Sequence, residues 1–366
     1  MPDSSMTEAD QITGTPHPRF TKHLYGQDKT SKKFLQSYNN QLLHHAWLIG
    51  GQKGVGKATL AWKIAKFLLE LGLNSHSRKH DTLDIEIDRL LDARINALSE
   101  PALLLIRREF DPKKKRTQHV ISVDNIRVMS ESIGYAIPDN KLRIVIIDSI
   151  EELNENAANA FLKLLEEPPP RTYFFLISHS PHTVLPTIRS RCQIVHCDHL
   201  QPDDQINVLA QLQFKNSEHH SHAISLSNGS VGNAIAILNF GGIDLYQSIV
   251  NMFQHPQQIE HPQALALQAM AGNQKNKEEY TLLVYLIDQF LSRLVKVGVM
   301  GTLDSEIFPG ELALLQKLSP SPFKATQWAT EYSKFKFIND EYIKGNIDSY
   351  SHVFELFNDI SRKAFV

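Results

Sequence analysis

The chain has 366 residues, which at about 150 residues per domain is enough for two or three domains with well-buried cores. Lys plus Arg total 38 and Asp plus Glu 40, a formal charge of -2, so no global charge excess draws the protein to nucleic acid or membrane, and any DNA contact must be a local patch. A charged fraction of 21% and an apolar fraction of 42% exclude a mainly disordered chain, while two cysteines, Cys192 and Cys197, exclude a disulfide framework and a four-thiolate zinc site and suit a reducing cytoplasm.

Residues 1–19 read as a flexible tail, rich in Ser, Thr, Asp and Pro and without the apolar run of a secretory signal. Across 20–200, short apolar runs at 46–49, 144–147 and 173–177 alternate with helix-period segments at 60–69 and 153–165. That alternation predicts a parallel sheet with helices on both faces, and runs lacking polar alternation, such as Ile144 to Ile147, belong inside the sheet.

Gly51-Gln52-Lys53-Gly54-Val55-Gly56-Lys57-Ala58 follows the strand at 45–49 and opens the helix at 59–69, the strand-loop-helix setting of a P-loop. Glycines let backbone N–H groups and the helix N-terminus face phosphate, with Lys57 reaching the outer phosphates. Where the motif places a Ser or Thr on Mg²⁺, Ala58 offers only a methyl, and Thr59 is rotated by about 100° along the helix. The charge-rich stretch 71–120, with Lys113, Lys114, Lys115 and Arg116, reads as a solvated insertion rather than a DNA-binding tract.

The strand from Arg143 ends in Asp148, the candidate Mg²⁺ partner. Its neighbour Ser149 stands where such ATPases carry a Glu that activates water, and a hydroxyl is a very weak base. Glu151 and Glu152 read as favourable charge at the start of the next helix. In that helix Leu153, Ala157, Ala160, Phe161, Leu164 and Leu165 share a face, Asn154 caps the start, and Pro168, Pro169 and Pro170 end it.

Short helices at 203–212, 223–226 and 233–238 around Asn228-Gly229 predict a small helical domain over 201–242, with Gly241 and Gly242 as a hinge. Residues 243–366 read as all-helical, with Leu283, Leu286, Phe290, Leu294 and Val297 on one stripe. Asp288, Gln289, Arg293 and Lys296 interrupt its most apolar segment, so no membrane span is expected.

The run Asn154 to Pro169, then Phe174-Phe175-Leu176-Ile177-Ser178 and Leu185 to Cys192 with its Ser190-Arg191-Cys192 triplet, resembles the clamp-loader AAA+ family. With the phosphate loop, the resemblance covers most of the first two hundred residues. It implies an α/β AAA+ P-loop domain, a small helical lid domain and an all-helical C-terminal collar through which five subunits assemble. It also assigns Arg191 as an arginine finger inserted into a neighbouring subunit's ATP site, with Arg189 as the competing candidate.

Gly229-Ser230-Val231-Gly232-Asn233-Ala234 resembles the segment that carries a phosphate-sensing Arg in active relatives, and here Gly232 takes its place. Ala58, Ser149 and Gly232 therefore imply a subunit without hydrolysis of its own, in which Gly51, Gly54, Gly56, Lys57 and Asp148 form a degenerate site; its backbone cradle still permits ATP or ADP to bind. Zinc is not implied, since no cysteine lies between Lys57 and Asp148. Cys192, Cys197, His196 and His199 read as packing residues, and His219, His220 and His222 are assigned no role.

The partners implied are the gamma/tau and delta subunits of bacterial DNA polymerase III, with the sliding clamp and primed DNA reached through the complex. Two rivals stay open: a motor ATPase that splits its own ATP, and an AAA+ protein of repair or recombination.

Overall fold

The computed structural model describes residues 8–73, 79–111, 116–134, 142–214, 218–254 and 277–345. It divides into two compact units, one of residues 1–214 with 229–232, the other of 215–228 with 233–366.

In the first unit the chain alternates strand and helix: α1 (Asp28–Asn39), β1 (Ala46–Gly50), α2 (Lys57–Leu71), α3 (Arg89–Asn96), β2 (Leu103–Arg107), β3 (Phe110–Asp111), β4 (Arg116–Thr117), α4 (Val123–Gly134), β5 (Arg143–Asp148), α5 (Glu155–Glu166), β6 (Thr172–Ser178), α6 (Pro186–Arg189), β7 (Gln193–His196) and α7 (Pro202–Gln211). Five strands form a parallel sheet in the order β2-β5-β6-β1-β7, and β3 and β4 pair antiparallel on their own. Parallel pairing requires a crossover after each strand, and the helices supply it.

Alternate side chains of the sheet feed two cores. Ala46, Leu48, Val145, Ile147, Phe174 and Leu176 pack with Ile126 and Met129 of α4 and Phe161 and Leu165 of α5. On the opposite side chains of the pleat, Trp47 and Phe175 meet Phe34 of α1, which also contacts Phe67 of α2 edge-on. Helices on both faces explain why every residue of β1 is buried. The stop and start signals hold: Asn154 accepts a hydrogen bond from the Ala157 amide at 2.8 Å, and α5 ends before the proline run.

Two segments depart from their sequence reading. The stretch 71–120 is more than a solvated insertion, because its Leu103–Arg107 run is the outermost strand of the main sheet, paired with β5 from Leu103↔Ile144 to Arg107↔Asp148. Residues 113–115 of its basic run lie outside the described residues. Residues 8–20 pack against the unit and end in a short 3-10 helix, Pro18–Phe20, where His17 and Arg19 are buried.

The second unit is helical: α8 (Glu218–Leu226), α9 (Val231–Asn239, from residue 233 on), α10 (Gly242–Gln254), α11 (Lys277–Met300), α12 (Glu311–Leu318) and α13 (Pro322–Gly345). The stripe of Leu283, Leu286, Phe290, Leu294 and Val297 on α11 is buried against Ile249 and Phe253 of α10, Leu315 of α12 and Trp328 of α13. Within this apolar core Glu311 is fully buried, and its carboxylate accepts from Tyr246 Oη (2.7 Å), Arg293 Nε and Nη2 (2.9 Å each) and the Ile307 amide (2.7 Å). Among the described residues no helix is long and apolar enough to cross a membrane.

Candidate functional site

Because the sheet is parallel, the C-terminal ends of its strands share one edge, where open α/β folds place their ligands. β1 ends at Gly50, the loop 51–56 follows, and α2 begins at Lys57. Gly54 (φ +83°) and Gly56 (φ +98°) take left-handed conformations that a Cβ would strain, so the glycine spacing serves the turn of the loop directly.

Lys57 is buried, and its Nζ donates to the carbonyls of Gly51 (2.7 Å) and Gln52 (2.6 Å). The ammonium thus closes the loop on itself. Burial lowers its pKa to about 8, against the pull of Cys197, Asp148 and Glu151. Ala58 follows it on α2.

Asp148 ends β5, with β6 lying between it and β1. Burial first, then the Asp10 and Glu152 charges, push its carboxyl up to about 7, while Lys57 and Lys53 oppose the shift. Ser149 is buried beside it.

Glu151 does not serve as simple helix-start charge. Its Oε1 accepts from Ser178 Oγ (2.5 Å) and the Ser180 amide (2.7 Å), which ties it to the end of β6. Its Oε2 and the Nδ1 of His179 are buried with no hydrogen-bond partner among the described residues. Burial, with the Lys57 charge, lowers the His179 pKa to about 4, so the imidazole is neutral near pH 7.

The turn 229–232 seals the loop from the other side. The Gly232 amide donates to the Gly54 carbonyl (3.1 Å) and Ser230 Oγ to the Lys53 carbonyl (2.8 Å).

The Ser-Arg-Cys turn closes α6. Arg191 Nη2 donates to Glu166 Oε1 (2.7 Å) and its Nη1 to the Thr187 carbonyl (2.9 Å), leaving the side chain 35% exposed. Arg189 donates to the carbonyls of Pro181 and His182, both at the long distance of 3.4 Å. Cys192 is half-buried and Cys197 buried, and burial pushes both thiols up to about 12, the state of packing residues.

Sequence reasoning missed a charged knot built from residues 8–19 and Arg107. Arg107, in register with Asp148, pairs with Glu8 (2.5 Å) and Asp10; His17 Nε2 lies 2.9 Å from Asp10 Oδ2; and Arg19 forks onto Glu8 at 2.6 and 2.9 Å. Although burial alone would raise it, the two guanidinium partners hold the Glu8 carboxyl down at about 2. Glu8, Asp10 and His17 place ligand-type atoms within 4.8 Å of one another, but both carboxylates already neutralise arginines, so the group is an ion-pair knot. No local pattern announces it, since Asp10 and Arg107 are 97 positions apart.

As arranged, these residues do not fit a magnesium nucleotide. Lys57 is spent on its own loop, Ala58 cannot ligate a metal, and Arg107, the cation at this edge of the sheet, is already paired with Glu8 and Asp10.

Five parallel strands with helices on both faces, a phosphate loop after β1 and an acid closing β5 define an α/β P-loop domain. Residues 26–201 match the family model described as DNA polymerase III, delta subunit. Over 295 residues the chain is 26% identical to DNA polymerase III subunit gamma of Buchnera aphidicola subsp. Schizaphis graminum, covering 77% of this chain and 73% of that one. It is 32% identical over 169 residues to subunit delta' of Buchnera aphidicola subsp. Acyrthosiphon pisum, covering 45% of this chain and 47% of that protein. It is 29% identical over 208 residues to subunit delta' of Escherichia coli, covering 56% and 58%. The matched stretch thus spans about half the length of these two delta' relatives. Over that stretch the chain is similar to delta' and gamma subunits of the DNA polymerase III clamp loader.

Proposed function

We propose that the chain acts as a non-hydrolysing subunit of a bacterial DNA polymerase III clamp loader and lends Arg191 to the ATP site of an adjacent subunit. In this reading gamma/tau and delta subunits are its direct partners, residues 201–242 form the lid, and residues 243–366 join the collar. The clamp and primed DNA are reached through the assembled complex, which would work in the cytoplasm.

One contrast carries the reading. The chain lacks the groups its own phosphate loop would need, at Ala58, Ser149 and Gly232, yet keeps Arg191 at the surface. The pair that holds Arg191 at rest is an exposed one with Glu166, and such pairs contribute only about 0–1 kcal/mol. The guanidinium can leave it for a phosphoryl group at little cost, and it stays charged at any physiological pH.

A finger supplied in trans is worth about 10³-fold or more at the site it enters. Arg191→Ala should therefore leave folding and assembly intact and silence the neighbouring site, lowering DNA-stimulated ATP turnover of the reconstituted complex, whereas Lys57→Ala should not. Unchanged turnover with Arg191→Ala would remove the finger, and turnover by the isolated chain that Lys57→Ala abolishes would remove the non-hydrolysing assignment.

A further inference from the structure

Residues 8–17 run along the phosphate loop through three anchors. At one end the buried His17 ring meets Trp62 of α2 edge-on, with centroids 5.6 Å apart. In the middle, Ile12 Cδ1 lies 3.1 Å from where a Gly232 Cβ would sit, a point only 2.8 Å from the Gly54 Cα. At the far end Asp10, its side chain 3% exposed, is gripped by Arg107 at the end of β2, directly in register with Asp148. The segment therefore passes from the phosphate-binding helix, over the glycine contact, to the acid that would face the metal.

The charges along this path matter more than its bulk. Arg107 is a cation at the ligand edge of the sheet and would suit a phosphate oxygen. Its guanidinium is instead shared between the Glu8 and Asp10 carboxylates. Two carboxylates thus take the place of an anionic ligand on Arg107, and Asp10 places like charge beside Asp148.

We infer that residues 8–17 form an acidic strap that competes with nucleoside triphosphates for the phosphate loop, with Asp10 and Glu8 acting as internal surrogates for phosphate on Arg107. Exclusion of nucleotide is then a property of the strap and not only of the loop's altered sequence. The inference rests on the reading of the loop as a degenerate nucleotide site, and its test separates the two.

The full-length chain, the full-length variant Glu8→Gln/Asp10→Asn/Ile12→Ala and a chain shortened by residues 1–16 are titrated with a fluorescent N-methylanthraniloyl ATP, with and without Mg²⁺. Releasing the strap should tighten Kd by about tenfold or more, equivalent to about 1.4 kcal/mol. Adding Lys57→Ala should cancel the gain, which places the nucleotide on the phosphate loop.

Equal Kd for wild type and a variant that melts cooperatively would overturn the strap. So would failure of both altered chains to fold, since the segment would then be an obligatory part of the unit. Binding without turnover supports the strap and the silent site together; turnover by the released chain would sink the non-hydrolysing reading and leave the strap standing.

Discussion

The Gly232 amide donates to the Gly54 carbonyl at 3.1 Å, and a methyl group on Gly54 would fall 2.7 Å from the Gly232 Cα. Two glycines 178 positions apart in the chain are thus in backbone contact, with no room for a side chain on either. Gly232→Ala should destabilise the first unit by about 1–3 kcal/mol, because the backbone it would strike cannot rotate away. Gly232→Arg meets the same obstacle at its Cβ, so restoring an arginine there should fail to confer hydrolysis. Chemical denaturation, with ATPase assay of the folded fraction, checks both outcomes.

Asp148 carries a carboxyl raised by burial to about 7 from an ordinary value near 3.8. Between those values the folded protein keeps a proton that the unfolded chain releases, so this group's contribution to stability is lost as pH rises from about 4 to 7. Asp148→Asn should therefore be more stable than wild type at pH 8, by about 1–4 kcal/mol, with the difference vanishing below about pH 4. Denaturant midpoints of the two proteins across that range would show it; a gap independent of pH would contradict the assignment.

Glu311 is fully buried in the helical unit and binds an Arg293 side chain that is 13% exposed. Glu311→Ala strands that guanidinium and leaves the hydroxyl of Tyr246 and the amide of Ile307 without their acceptor. Removing one member of a buried pair costs about 3–5 kcal/mol. The loss should appear in hydrogen exchange as faster opening of α11 and α12, with β1 and β6 unaffected.

Asn154 supplies the side-chain cap of α5 through the Ala157 amide. Asn154→Ala should cost about 1 kcal/mol and Asn154→Asp nearly nothing, because Asp caps equally well. Thermal unfolding of the two variants distinguishes a capping role from simple loss of volume.

Much of this architecture was legible in the residues because its causes are local. Strands at Ala46–Gly50, Arg143–Asp148 and Thr172–Ser178 follow from apolar runs that only a doubly covered sheet can bury. The glycine spacing dictated a loop between β1 and α2, and α5 was delimited by its cap and the following prolines. The stripe on α11 likewise became core as its spacing required. The outer strand Leu103–Arg107 was hidden by its charged surroundings, which outweighed five residues of otherwise strand-like sequence.

By itself, then, the sequence determined the order of elements, the place of the phosphate loop and the substitutions at Ala58, Ser149 and Gly232, since each is a matter of residue identity and short-range spacing. Only the tertiary structure decided which distant groups meet: Lys57 spent on its own loop, Glu151 bound to the end of β6, Gly54 against Gly232, and Asp10 held at Arg107. Such pairings depend on the order of strands in the sheet and on the close approach of segments far apart in the chain, and short-range patterning carries no record of either.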